Sequence, residues 1–176
     1  SKNQYWFQTF PFSFRKRADS QFVWDTINKI SWNDMEVLDI GCHYGFFSFK
    51  ASEHGASVVG MDINKNSLSV AQTIQDHIIQ QDVDFCSTFP NQQFDVILYL
   101  SVHHQIDSSY ESLESSISRL KQKIRKHLFI ELIMPPLFPE RSSLTELDID
   151  KIVGGRVLAR YKHTVRGNRK IYWIEV

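Results

Sequence analysis

The sequence contains only two cysteines, Cys42 and Cys86, among 176 residues. Two are too few for a disulfide framework, so both read as reduced thiols filling tight places. Neither they nor the seven histidines fall at zinc-like spacings, so no metal site is expected. Net charge is missing as well, because 20 basic side chains balance 20 acidic ones. A broad basic footprint for nucleic acid is therefore not favoured, although a local patch stays open. No apolar run approaches the roughly 20 residues that span a bilayer. No signal-peptide pattern is visible. Together these set the expectation of a cytoplasmic protein without a membrane span. The chain opens Ser1-Lys2-Asn3-Gln4 without Met, as in a trimmed chain or a piece of something longer. No internal repeat, low-complexity stretch or interior linker interrupts it, and its length suits one domain. The expectation is a single unit over 1–176, with an N-terminal lid or helix segment over 1–33 and a core over 34–176.

What the chain does have is an alternation of strand and helix patterns, which implies a mostly parallel sheet covered on both faces. An aromatic and then basic segment, Tyr5 to Arg17, precedes a helix capped by Asp19 or Ser20, with Val23, Ile27 and Ile30 on its apolar face. Strands are expected at about Glu36–Ile40, Ser57–Met61, Val83–Cys86, Phe94–Leu100 and His127–Ile133. Helices are expected at about Tyr44–Glu53 and along the stripe Leu68, Ala71, Ile74, Ile78. A third follows a Ser108–Glu111 capping box, with Leu113, Ile117, Leu120 and Ile124 on one face. A fourth is capped by Ser143 with Glu146 and ends at Gly154-Gly155. Arg156–Val165 and Arg169–Val176 read as a terminal hairpin. Residues 87–93 are too few to hold the usual helix between the third and fourth strands.

The most informative run is Glu36-Val37-Leu38-Asp39-Ile40-Gly41-Cys42-His43-Tyr44-Gly45. A short apolar strand ends in an acid, two glycines allow a tight turn, and a helix starts at Phe46. This is how an α/β domain opens a nucleotide pocket. A dinucleotide fold wants G-x-G-x-x-G, because a pyrophosphate must sit against bare backbone. Here the spacing is D-x-G-x-x-x-G, and the Asp39 carboxylate disfavours an anion while tolerating a ligand with an ammonium and a sulfonium. Val58-Val59-Gly60-Met61-Asp62-Ile63 is a second strand ending in an acid, 17 positions after Gly45. That is close to the roughly 20-residue offset at which a carboxylate meets a ribose. Ionised acceptors make the stronger hydrogen bonds to such hydroxyls.

With both halves in order, the chain resembles the class I S-adenosylmethionine (SAM)-dependent methyltransferases. The resemblance implies a Rossmann-like fold with a seven-stranded, mostly parallel sheet and a C-terminal antiparallel hairpin. It implies SAM as cofactor and S-adenosylhomocysteine (SAH) as product. Asp39, Gly41, Cys42, His43, Tyr44 and Gly45 are then expected around the methionine end of the cofactor. Asp62 and Ile63 are expected at the ribose and adenine. Cys86, Ser87 and Thr88, after strand three, are expected to contact the adenine. Leu100 and Ser101, where strand four ends, complete the cofactor set.

Catalytic candidates sit beyond the strand ends. His103 and His104 follow strand four, with His104 ahead, and imidazole titrates where proton removal near neutrality needs it. Glu131, at the end of strand five, is a second carboxylate beside the same crevice. Arg15 and Arg17 are candidates to reach an acidic acceptor across the mouth.

More closely, the glycine loop, the stretch Gly55–Asp62 and Leu100-Ser101-Val102-His103-His104 resemble the methyltransferase part of bacterial O-antigen chain-terminating methyltransferase-kinases. That likeness implies a saccharide or sugar-phosphate acceptor. The histidine pair lies one residue early, so His104 and Gln105 fall at the family's His-His positions. The wobble-uridine tRNA-modifying enzymes share a similar loop, which keeps an RNA methyltransferase as an alternative. A non-catalytic SAM-binding module is a third reading. An NAD-dependent dehydrogenase is disfavoured by the loop spacing.

Overall fold

A computed structural model describes residues 18–79, 81–135, 143–163 and 167–176. Five parallel strands carry its sheet. They are β1 (Glu36–Ile40), β2 (Ser57–Met61), β3 (Val83–Cys86), β4 (Phe94–Leu100) and β5 (Ile124–Ile133). Two more, β6 (Arg156–Lys162) and β7 (Asn168–Glu175), pair antiparallel with each other, and β7 runs antiparallel to β5. The strand order is β3-β2-β1-β4-β5-β7-β6. It reverses direction between β1 and β4, which is where an open α/β sheet leaves a crevice beyond its strand ends.

The central strand explains the layering. All seven residues of β4 are buried, and successive side chains point to opposite faces. Val96, Leu98 and Leu100 join one apolar cluster with α1 (Ala18–Ile27) and α2 (Phe46–Glu53). Ile97 and Tyr99 join another with α5 (Leu113–Lys121) and α6 (Glu146–Val153). Helix α3 (Lys65–His77) follows β2 and adds Ile74 to the first cluster. A four-residue turn of helix, α4 (His103–Ile106), follows β4. Among the described residues no helix is long and apolar enough to cross a membrane.

Three helix boundaries differ from the sequence expectation. Helix α5 starts at Leu113 without a side-chain cap, because Asp107 takes the local donors: it accepts from the backbone and hydroxyls of Ser109 and Ser112. Those bonds hold the Asp107 carboxyl well below the usual carboxylate range. Helix α6 is capped by Thr145 in a reciprocal box with Asp148, rather than by Ser143 with Glu146. Ile124 ends no helix; it opens β5, because the chain turns at Gln122.

Helix α6 docks on the sheet through a charge cluster. The buried Lys170 ammonium contacts both Asp150 oxygens at 2.7 and 2.6 Å and Glu146 at 2.7 Å. Tyr172 Oη donates to Asp150 at 2.7 Å.

Candidate active site

A cleft of about 810 Å³ opens over the carboxyl ends of the parallel strands. One end is built by β1, β2 and the loops after them. Gly41 turns the chain with φ +71°, and its amide donates to Met61 O at 2.7 Å. A Cβ there would come within 2.6 Å of Val102 Cγ2, so glycine is needed for both conformation and space. His43 follows, also left-handed at φ 52°. Its amide donates to Asp62 Oδ2 at 2.9 Å, while Asn64 N donates to Asp62 Oδ1 at 2.8 Å. The cap of α3 is Asn64, which accepts from Asn66 N and Ser67 N. Asp62 is thus fixed by two amides and keeps further lone pairs toward the cleft. Ile63 beside it is 82% exposed, an apolar face at the mouth.

The middle of the cleft is the end of β4. Ser101 takes a left-handed backbone at φ 61°, a conformation that costs energy in a non-glycine residue and that functional sites often retain. The two histidines then part. Successive helical residues lie about 100° apart around the axis. His104 faces the cleft. His103 is wholly buried behind it, with Nδ1 3.0 Å from Tyr99 Oη and its ring 4.9 Å from that of Tyr110. Burial pushes the His103 imidazole down, so it stays neutral.

The far wall comes from β5, β6 and β7. Glu131 accepts hydrogen bonds from Ser101 Oγ and Tyr161 Oη, and Arg169 approaches it at 3.5 Å. Arg169 Nη1 also donates to Ser101 Oγ. Arg169 is 2% exposed, lines the cleft, and its Nε has no partner among the described residues. Burial beside Glu131 pushes the Tyr161 phenol far up, so it remains a donor. Asp19, Ser20 and Val23 of α1 and His163 after β6 complete this wall.

The cleft therefore unites Gly41, His43, Asp62, Ile63, Leu100, Ser101, His104 and Glu131 of the sequence candidates. Others lie outside it. Asp39 is 2% exposed beneath the loop and accepts from Ser48 Oγ at 2.6 Å; burial pushes its carboxyl up to about 7. Its place is support of the turn from below. Cys42 is buried, and desolvation raises its thiol far above the usual range. Tyr44 and Gly45 line α2's approach rather than the cleft, with the Tyr44 ring stacked 3.7 Å from His43. Cys86 Sγ donates to Thr88 O, and Cys86, Ser87 and Thr88 do not border the cavity. Arg15 and Arg17 fall outside the described residues.

Sequence reading missed Arg169, Tyr161 and His163. A signal was present for Arg169: it shares a face of β7 with Ile171 and Trp173, an inward position for a guanidinium.

The donor set at the β1–β2 end fits SAM. It offers bare backbone and an acceptor-only carboxylate, suited to ribose hydroxyls and a cationic tail, and no lysine lines the cleft among the described residues. The single guanidinium there is Arg169, on the opposite wall. A pyrophosphate would find no cation beside the loop.

The strand order, the glycine loop and the acid after β2 define a Rossmann-like class I methyltransferase fold. Solved structures share it: magnesium protoporphyrin IX methyltransferase (ChlM) from Synechocystis PCC 6803 with bound SAM is 21% identical, with a TM-score of 0.67 over 88% of this chain and 76% of that one. The family model of the methyltransferase domain matches residues 38–126. The chain belongs to that family and is a SAM-dependent methyltransferase domain. It is 27% identical over 95 residues to the O-antigen chain terminator bifunctional methyltransferase/kinase WbdD of Escherichia coli, covering 47% of this chain and 13% of that protein. It is 33% identical over 130 residues to the tRNA U34 carboxymethyltransferase of Helicobacter pylori, covering 68% of this chain and 49% of that protein. The chain thus spans half or less of the length of these relatives.

Proposed function

We propose that this chain transfers the methyl group of SAM to an oxygen of a saccharide or phosphorylated glycan end. The observation that carries the reading is one cleft with two unlike ends: Gly41 and Asp62 at one, Arg169, Tyr161 and Glu131 at the other, and His104 between them. Asp62 accepts from the ribose hydroxyls, the turn at Gly41 and His43 holds the methionine end, and Ile63 lies along the adenine. When bound, the cofactor supplies a methyl on a cationic sulfur. The protein's part is alignment and electrostatics. His104 orients the acceptor oxygen. Arg169 offers its Nε–H to an anionic oxygen on the acceptor, in the fork geometry that suits phosphate. Glu131, saturated by Ser101, Tyr161 and Arg169, holds those donors in place and does not take a proton itself. The likeness to WbdD supports a glycan acceptor.

An RNA acceptor is the second reading, and the longer match to a tRNA U34 carboxymethyltransferase favours it. A labelled-methyl screen over glycans, sugar phosphates and RNA tests the two together. Label on a saccharide supports the first. Label on RNA, with binding that falls steeply as salt rises, overturns it.

A further inference from the structure

Two side chains on the acceptor wall have so far had no role. His163, just past the end of β6, places Nε2 3.6 Å from Asp19 Oδ2, in the first turn of α1. Each side chain is only 13% exposed, and both border the cleft. The hairpin end that carries His163 is itself fixed, because His163 N donates to Gly167 O at 2.8 Å. The pair thus joins two elements distant in sequence at the cavity wall.

A carboxylate beside an imidazole does two things. It orients the ring, and it stabilises the imidazolium formed when the ring accepts a proton. The other groups facing this wall are the Tyr161 phenol, the Glu131–Arg169 pair and, from α4, His104. Tyr161 and Arg169 are committed to Glu131, so neither is placed to take a proton.

Resting on the methyl-transfer reading above, we propose that His163 is a second catalytic histidine, the base for the acceptor hydroxyl, and that Asp19 is its positioning residue. The hydroxyl proton passes to the imidazole nitrogen not turned to Asp19. The acceptor oxygen forms its bond to the methyl carbon, and the electron pair of the broken carbon–sulfur bond stays on sulfur as SAH is formed. The imidazolium then returns its proton to water. His104, across the cleft, keeps the oxygen in line.

The test is an NMR titration of the histidine imidazoles in the whole chain, with the His163 signal assigned by its loss in His163→Gln. Asp19→Asn should lower the His163 pKa by about one unit, since the neutral amide no longer favours the imidazolium. In wild type, saturating SAM should hold that pKa roughly half a unit below its value with SAH, because only SAM carries a positive sulfur near the ring. A His163 pKa indifferent to Asp19→Asn, or equal with SAM and SAH, overturns the proposal. The SAM–SAH comparison needs no variant, so it decides even if Asp19→Asn fails to fold. Calorimetry on the same samples separates the two claims. If neither cofactor gives a binding heat, the cofactor reading fails, and the Asp19 arm still scores the dyad.

Discussion

The amide of His43 donates to Asp62 Oδ2 across 19 positions of sequence at 2.9 Å. This bond ties the turn after β1 to the acid that ends β2, so the two halves of the cofactor end are one rigid unit. Asp62→Ala removes the acceptor for the ribose and for two backbone amides. We expect SAM affinity to fall by about 1.5–3 kcal/mol, the worth of charged hydrogen bonds, measured by calorimetry. An unchanged dissociation constant would remove the ribose assignment.

His103 and His104 should respond differently to the same truncation. His104→Ala should slow methyl transfer while leaving SAH affinity in place. His103→Ala opens a cavity between Tyr99 and Tyr110 and strands the Tyr99 hydroxyl, so it should cost about 2–4 kcal/mol of stability. Denaturant titration and turnover, run side by side on both variants, check the split. Equal stability losses would contradict it.

Asp39 predicts a pH dependence of stability. Its folded carboxyl titrates at about 7 against an ordinary 3.8, because it is desolvated. Between those values the folded state holds a proton that the unfolded chain releases. Stability therefore falls as pH rises from about 4 to about 7 and levels off above, by about 4 kcal/mol in all for this group. Asp39→Asn keeps an acceptor for Ser48 without a charge, and should flatten that slope in denaturant melts across the range. A slope unchanged in the variant would place its origin elsewhere.

Asp150→Ala should loosen α6. It leaves the Lys170 ammonium buried with Glu146 alone and removes the partner of Tyr172 Oη. Asp150 is itself 32% exposed, which moderates the loss. A cost of about 2–3 kcal/mol is expected, with faster amide exchange across Glu146–Val153 as the local readout.

Much of this fold is written locally. Buried parallel strands read as apolar runs, so β1, β2, β3 and β4 lie at the bounds the sequence suggests. Gly41 and Asp62 were legible because their chemistry depends on spacing along the chain. The far wall was not, because it is assembled by pairing β7 with β5 and β6, which brings Arg169 and Tyr161 to Glu131 across more than 29 positions. The histidine pair shows the same limit at close range. Which of two neighbours faces the cleft depends on the turn of α4, and a dipeptide does not carry that. Asp39 misled for a related reason: an acid at a strand end can point into the loop's support as readily as into the ligand space, and Ser48 decides which.

The most direct test is a crystal of this protein grown with SAH. The cofactor should lie across the ends of β1 and β2, with its ribose hydroxyls on Asp62, its methionine end at Gly41 and its sulfur turned toward His104. Density for SAH elsewhere on the molecule, or a protein that takes up none at saturating SAH, would contradict the account.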